Sequence, residues 1–283
     1  MQRFLNYIER KLESLYSKNE IKSITRLLLR QLAGLNSVQI YSYKDTKIPD
    51  YTVKDLNTAV DRLAEGEPVQ YILGETEFFG LSFKVRPGVL IPRPETEELV
   101  ELILKDLKNI DKSVQLLDIG TGSGCIAVSL AKNSPNANVS AWDISADALQ
   151  IASENAEINN TNIDFKLRDI LDVNLSEGYP QKLDIIVSNP PYVCKSEKSE
   201  MENHVLNHEP HLALFVNDDD PLIFYRVITQ FAIKNLVKGG ALYFEINSQL
   251  GKETVELVSE YPFAKVELFQ DLSGKDRMIR AIL

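Results

Sequence analysis

Apolar positions in the first part of the chain recur at helical spacing: Leu5, Ile8, Leu12 and Leu15, then Ile21, Ile24, Leu28 and Leu32. Each series lays one buried stripe along a helix, and Gly34 offers a stop for the second. A third helix is expected over 52–65, with Val53, Leu56, Val60 and Leu63 inward and Thr52 as its cap. The period then changes. Residues 77–85 gather β-favouring side chains around Gly80, as in a hairpin, and Pro92 and Pro94 start a helix through Leu104. From Val114 onward short apolar runs at 114–119, 139–143, 163–168, 183–188, 241–246, 265–269 and 278–283 alternate with helical segments at 126–131, 222–236 and 250–259. The runs show little polar alternation, as strands buried on both faces do. This is the pattern of an α/β chain with a doubly wound, mostly parallel sheet behind a small N-terminal helical bundle.

The strand run 183–188 ends directly in Asn189-Pro190-Pro191-Tyr192. Ligands of open α/β sheets collect at the carboxyl ends of such strands, so Asn189 is expected to face a crevice. Two successive prolines remove two backbone donors and push the preceding residues into extended conformations, leaving carbonyl acceptors on a stiff loop. That arrangement suits an NH2 group on a planar, conjugated centre. One hydrogen would meet the Asn189 side-chain oxygen and the other the Pro190 carbonyl, with Tyr192 against the flat face. Such a nitrogen is a poor nucleophile, so the chemistry would rest on holding it in line with an electrophilic carbon. Asn-Pro and Pro-Pro are also common loop formers, and the bland alternative is that the tetrapeptide is a strand-ending turn.

A second segment points to a cofactor. The strand run 114–119 enters Gly120-Thr121-Gly122-Ser123-Gly124, after which helical character begins. Glycines let a backbone approach a ligand closely, and the helix start offers free N–H donors. The dinucleotide fingerprint wants a further glycine where Cys125 stands, and Asp118 would set a carboxylate near a pyrophosphate, so a nicotinamide dehydrogenase is disfavoured. An acidic loop fits a cationic ligand better. The next strand closes on Asp143, placed to accept from ribose hydroxyls, and the one after it on Asp169-Ile170, placed to meet an adenine. An aspartate after a strand is also a common turn former.

In this order, the acidic glycine loop, the second-strand acid and Asn-Pro-Pro-Tyr resemble class I methyltransferases that use S-adenosylmethionine. Within that class, Leu90-Ile91-Pro92-Arg93-Pro94-Glu95-Thr96-Glu97 resembles the release factor glutamine methyltransferases. So do Gly66-Glu67-Pro68-Val69-Gln70-Tyr71-Ile72-Leu73-Gly74 and a later stretch with Glu209-Pro210, Ala213-Leu214, Gly239-Gly240, Glu245 and Gln249, so the resemblance spans essentially the whole chain. It implies methylation of the glutamine side-chain amide in the Gly-Gly-Gln motif of peptide-chain release factors. The implied organisation is a helical substrate-recognition domain at 1–74, a hairpin linker at 75–93 and a seven-stranded catalytic domain at 94–283. By motif position, Gly120 to Gly124 and Asp143 are implied as cofactor contacts, and Asn189, Pro190, Pro191 and Tyr192 as the substrate grip. Ile170 departs from the aromatic residue that some family members carry there.

Charge narrows the substrate class. Residues 1–86 hold 13 Lys and Arg against 11 Asp and Glu, a net +2, while the remainder holds 18 against 30, a net −12. Enzymes that grip duplex nucleic acid neutralise phosphates with a basic patch, and no basic block occurs here. This weighs against DNA adenine and ribosomal RNA guanine methyltransferases, which share Asn-Pro-Pro-Tyr and must draw a base from its stack. Methylation of a ribosomal-protein glutamine, and a non-catalytic cofactor-binding module, remain as alternatives. The two cysteines, Cys125 and Cys194, have neither disulfide nor zinc spacing. His204, His208 and His211 sit in a polar stretch over 195–220 that reads as a flexible substrate loop with solvated histidines, and no metal site is expected. No signal peptide or membrane-spanning run is evident, so a cytoplasmic monomer acting on free release factors, with no direct nucleic-acid or membrane partner, is the expectation.

Overall fold

The structure, a computed structural model, describes residues 1–42, 47–108, 110–172, 179 and 181–283. Contacts sort the chain into two units, Met1–Glu75 with Glu202–His208, and Thr76–Met201 with Glu209–Leu283.

The first unit carries α1 (Gln2–Leu12), α2 (Lys18–Gln31), α3 (Ser37–Tyr41), α4 (Asp50–Ala64) and α5 (Val69–Leu73). Phe4, Ile8 and Leu12 pack with Ile21, Leu28 and Leu29 and with Leu56, Ala59, Val60 and Leu63. Leu15, expected to extend the first stripe, is 55% exposed. The helix stops before it because Ser17 is extended and caps α2, accepting from the Glu20 amide while Glu20 accepts from the Ser17 amide. Thr52 does not cap α4: the helix begins at Asp50 behind Pro49, and Thr52 joins Leu56, Ala59 and Leu63 on the buried face.

The second unit opens on a hairpin, β1 (Glu75–Phe78) and β2 (Leu81–Lys84). Its two-residue turn holds Phe79 at φ 51° and Gly80 at φ 71°, both left-handed, as a turn matched to strand twist requires. Residues 75–93, read as a linker, belong from Thr76 onward to this larger unit. Asn155 explains why: its Oδ1 accepts from the Lys84 amide at 2.6 Å and its Nδ2 donates to the Lys84 carbonyl at 3.0 Å.

There follow α6 (Pro94–Leu107), β3 (Val114–Ile119), α7 (Cys125–Asn133), β4 (Ala137–Asp143), α8 (Ala146–Ile158), β5 (Ile163–Leu167) and β6 (Leu183–Ser188). After β7 (Val193–Cys194), the stretch 195–220 expected as one flexible loop is built of short elements: a 3-10 turn at Lys195–Glu200, α9 (Asn203–His208), α10 (His211–Leu214) and β8 (Phe215–Val216). Strands β7 and β8 pair in parallel, and Ser196 is tied to Asp218 through its amide and its hydroxyl. The chain closes with α11 (Ile223–Asn235), β9 (Leu236–Glu245), α12 (Gly251–Ser259), β10 (Lys265–Gln270) and β11 (Asp276–Ile282).

Seven strands form one sheet in the order β10-β11-β9-β6-β3-β4-β5. All are parallel except β11, which runs against both neighbours. From β3 the chain winds outward through β4 and β5, then returns to lay β6 on the other side of β3. That reversal leaves a crevice beyond the carboxyl ends of β3 and β6. Helices cover both faces, with Leu99, Ile103, Val128 and Leu130 on one side and Tyr225, Ile228, Phe231 and Val258 on the other.

Candidate active site

Strand register decides which residues meet. Ile119 lies opposite both Trp142 and Ser188, and Ser188 lies opposite Phe244. The next residue along each strand is therefore delivered to one level at the sheet's carboxyl edge: Gly120, Asp143, Asn189 and Glu245. Ser188, wholly buried, closes the seam by donating its hydroxyl to the Ile119 carbonyl at 2.7 Å. Above this edge is a cavity of about 470 Å³ lined by Gly120, Thr121, Gly122, Ser123, Asp143, Asp169, Ile170, Asn189, Pro190 and Pro191 among others. Its size falls within the range of small-ligand sites, roughly 300–1,000 Å³.

The glycine loop is held from behind. Gly122 has φ 54°, and its amide donates to Asp143 Oδ2 at 2.8 Å, while Asp143 Oδ1 accepts from the Ser145 amide at 2.9 Å. Burial raises the Asp143 carboxyl above its ordinary value against those two amides. Asp118 is wholly buried, and its Oδ2 accepts from the Thr121 hydroxyl at 2.6 Å. Its Oδ1, like Ser123 Oγ, has no hydrogen-bond partner among the described residues. Burial pushes Asp118 up to about 7, opposed by the Thr121 hydrogen bond and reinforced by Asp143. An acid at the end of β4, the open backbone of Gly120 to Ser123 and an apolar wall that includes Ile170 all line the cavity and fit S-adenosylmethionine, which carries a ribose, a cationic sulfonium and an adenine.

Two residues expected in the site lie outside the cavity lining. Gly124, at φ 81°, caps α7, and a Cβ there would meet Ala152 Cβ at 3.0 Å. Its lack of a side chain serves the close approach to α8. Tyr192 donates its hydroxyl to Glu245 Oε1 at 3.3 Å and is absent from the cavity lining. Asp169 combines both of its readings, since it lines the cavity while its Oδ1 accepts from the Leu171 amide at 2.8 Å as a turn former does.

Pattern reading gave no role to Thr96 and Glu245. Thr96 shares the inner face of α6 with Leu99, Val100 and Ile103, and its hydroxyl donates to the wholly buried Glu245 at 2.6 Å. Asn189 Nδ2 in turn donates to Thr96 Oγ1 at 3.4 Å. Burial raises the Glu245 carboxyl, while Thr96, Arg277 and Tyr192 hold it down. Beside them, buried Glu209 accepts from the Ile91 amide at 3.2 Å and from Arg93 at 2.6 Å, pinning the segment before α6 that also lines the cavity. The available signal for Glu245 was a lone acid closing an apolar strand. The histidines take no part: His204 pairs with Glu202 at 3.2 Å, His211 meets Phe215 edge-on, and no group of three metal-binding side chains occurs among the described residues.

Comparisons agree with this geometry. Residues 3–74 match the family model described as PrmC N-terminal domain, and residues 81–213 that described as Methyltransferase small domain. A release factor glutamine methyltransferase of Flavobacterium psychrophilum is 50% identical over 95% of this chain and 94% of its own length. One of Bacteroides thetaiotaomicron is 46% identical over 99% of each. Among solved structures, a 16S rRNA N2 G1207 methyltransferase of T. thermophilus in complex with AdoMet and guanosine aligns with TM-score 0.53 at 19% identity, over 74% of this chain and 49% of that one. At that distance the likeness concerns the fold alone. On the identity and coverage of its relatives, this chain belongs to the release factor glutamine methyltransferase family.

Proposed function

We propose that the chain transfers a methyl group from S-adenosylmethionine to the side-chain amide nitrogen of the glutamine in the Gly-Gly-Gln motif of peptide-chain release factors. The observation that carries this reading is the placement of Asn189 and the two prolines in the same cavity as the glycine loop, one strand away. Bound S-adenosylmethionine supplies an electrophilic methyl carbon on a sulfonium.

The chain's own residues do the rest. Backbone of Gly120 to Ser123 and the Asp143 carboxylate hold the cofactor, with Asp169 and Ile170 along its adenine. Asn189 Oδ1 and the Pro190 carbonyl accept the two amide hydrogens, which turns the nitrogen's face toward the methyl carbon and draws charge onto it. Holding two reactants in line removes much of the entropic barrier. The acceptors also favour the positive charge that develops on nitrogen. The new N–C bond would form as the S–C bond breaks to leave a neutral thioether, and the methylated nitrogen is acidic enough to lose its proton to water without a strong base.

Residues 1–74 are taken as the substrate-recognition domain, 94–283 as the catalytic one, and the acidic catalytic half supports a protein rather than a polyanion as substrate. Free Cys125 and Cys194 support a cytoplasmic location, and no helix among the described residues is long and apolar enough to cross a membrane. Incubation with labelled S-adenosylmethionine and, separately, a release factor, ribosomal proteins and nucleic acid tests the reading. Label is expected in the release factor. Label only in a ribosomal protein or in nucleic acid would replace it.

A further inference from the structure

We infer that Thr96 and Glu245 are positioning residues that fix which way round the Asn189 amide sits, so that its oxygen, and not its NH2, faces the reacting glutamine. An asparagine amide is nearly symmetric in shape, and a reversed one would present donors to a substrate NH2 group that is itself a donor. Something must therefore select one orientation.

The selection runs through two hydrogen bonds. Arg277 and the hydroxyls of Thr96 and Tyr192 favour Glu245 as the carboxylate against its burial, and a carboxylate has no proton to give and can only accept. At 2.6 Å it takes the single hydrogen of the Thr96 hydroxyl. Thr96 Oγ1 then has only lone pairs left for Asn189, whose NH2 meets it at 3.4 Å. Asn189 Oδ1 is consequently left for the cavity, which Thr96 and Asn189 both line. Tyr192 supports the same carboxylate from the other side, its hydroxyl donating to Glu245 Oε1 at 3.3 Å. The last residue of the Asn-Pro-Pro-Tyr loop thus helps hold the group that orients the first. Each member comes from a different part of the chain: Thr96 from the first turn of α6, Asn189 and Tyr192 from the loop after β6, and Glu245 from the carboxyl end of β9.

This inference rests on the proposed glutamine methylation. Its test is a double-mutant cycle in methyl transfer to a release factor, using Thr96→Val, which keeps shape and loses the hydroxyl, against Asn189→Ala. Thr96→Val alone is expected to lower kcat about tenfold, the scale of one lost hydrogen bond, with cofactor affinity and KM little changed and with Thr96→Ser restoring the rate. In the Asn189→Ala background the same Thr96→Val change is expected to have no further effect, because the residue it acts through is gone. Additive losses, or no loss in Thr96→Val, would overturn the inference. If Thr96→Val does not fold, Thr96→Ala, which also removes the hydroxyl, enters the same cycle with the same two outcomes. Failure of unaltered enzyme to label any release factor would instead count against the proposed function.

Discussion

The loops that follow β3 and β6 stand side by side at one level of the sheet and are built on opposite plans. The first gives up side chains. Gly120 and Gly122 hold positive φ and expose backbone over a buried carboxyl. The second gives up donors: Pro190 and Pro191 have no amide hydrogen, and Asn189 has its own NH2 occupied by Thr96. A loop meant to wrap a ligand needs conformational freedom and close approach, whereas a loop meant to hold a small planar group needs rigid acceptors. On the proposed function the difference divides cofactor binding from substrate alignment, and substitutions on the two sides should separate affinity from rate.

The largest effect expected is on the proline side. Asn189→Ala should cost about 2–4 kcal/mol of transition-state stabilisation in methyl-transfer kinetics, while calorimetry shows cofactor affinity retained. Loss of both together would erase the distinction between the loops. On the glycine side, Gly122→Val forces a β-branched residue into the left-handed region at a cost of about 1–2 kcal/mol, and should weaken cofactor binding tenfold or more. Gly124→Val, whose Cβ meets Ala152 at 3.0 Å, should instead lower the melting temperature.

A further expectation concerns Asp118 alone. With its carboxyl raised from 3.8 to about 7, the folded chain keeps a proton over that interval which the unfolded chain has released. Its contribution to stability is present in full below pH 3.8 and declines as pH rises to about 7. A cationic ligand favours the carboxylate, so cofactor binding should release a proton and tighten over the same interval. In Asp118→Asn both dependences should flatten, as read by melting curves and by calorimetry in buffers of different ionisation enthalpy. The smallest effect is expected for Tyr192→Phe, under about 1 kcal/mol in rate, because the hydroxyl's 3.3 Å hydrogen bond to Glu245 is one step removed from Asn189.

Much of this site was legible along the chain because the loops after β3 and β6 each carry their chemistry in consecutive residues. Asp143 was legible for the same reason, closing an apolar run. What pattern could not supply was anything set by register or by a helix face. Glu245 reaches Asn189 because Phe244 lies opposite Ser188, a pairing no local spacing encodes. Thr96 reads as one more polar residue in a helix start until Leu99, Val100 and Ile103 show which face is inward. Gly124 reads in sequence like the other loop glycines, and its place at the start of α7 against Ala152 is set by a tertiary contact that no local spacing encodes. The short elements over 193–216 escaped because each spans only two to six residues, too few to show a hydrophobic period.

The central claim is that Asn189 and Pro190 present a glutamine amide to the methyl donor. It is tested most directly by locating the methyl group on the treated release factor with tandem mass spectrometry, using the unaltered enzyme and Asn189→Ala at matched cofactor occupancy. One methyl on the side-chain nitrogen of the Gly-Gly-Gln glutamine, present with the first and nearly absent with the second, is the expected result. A methyl on another atom, or equal modification by both proteins, would contradict it.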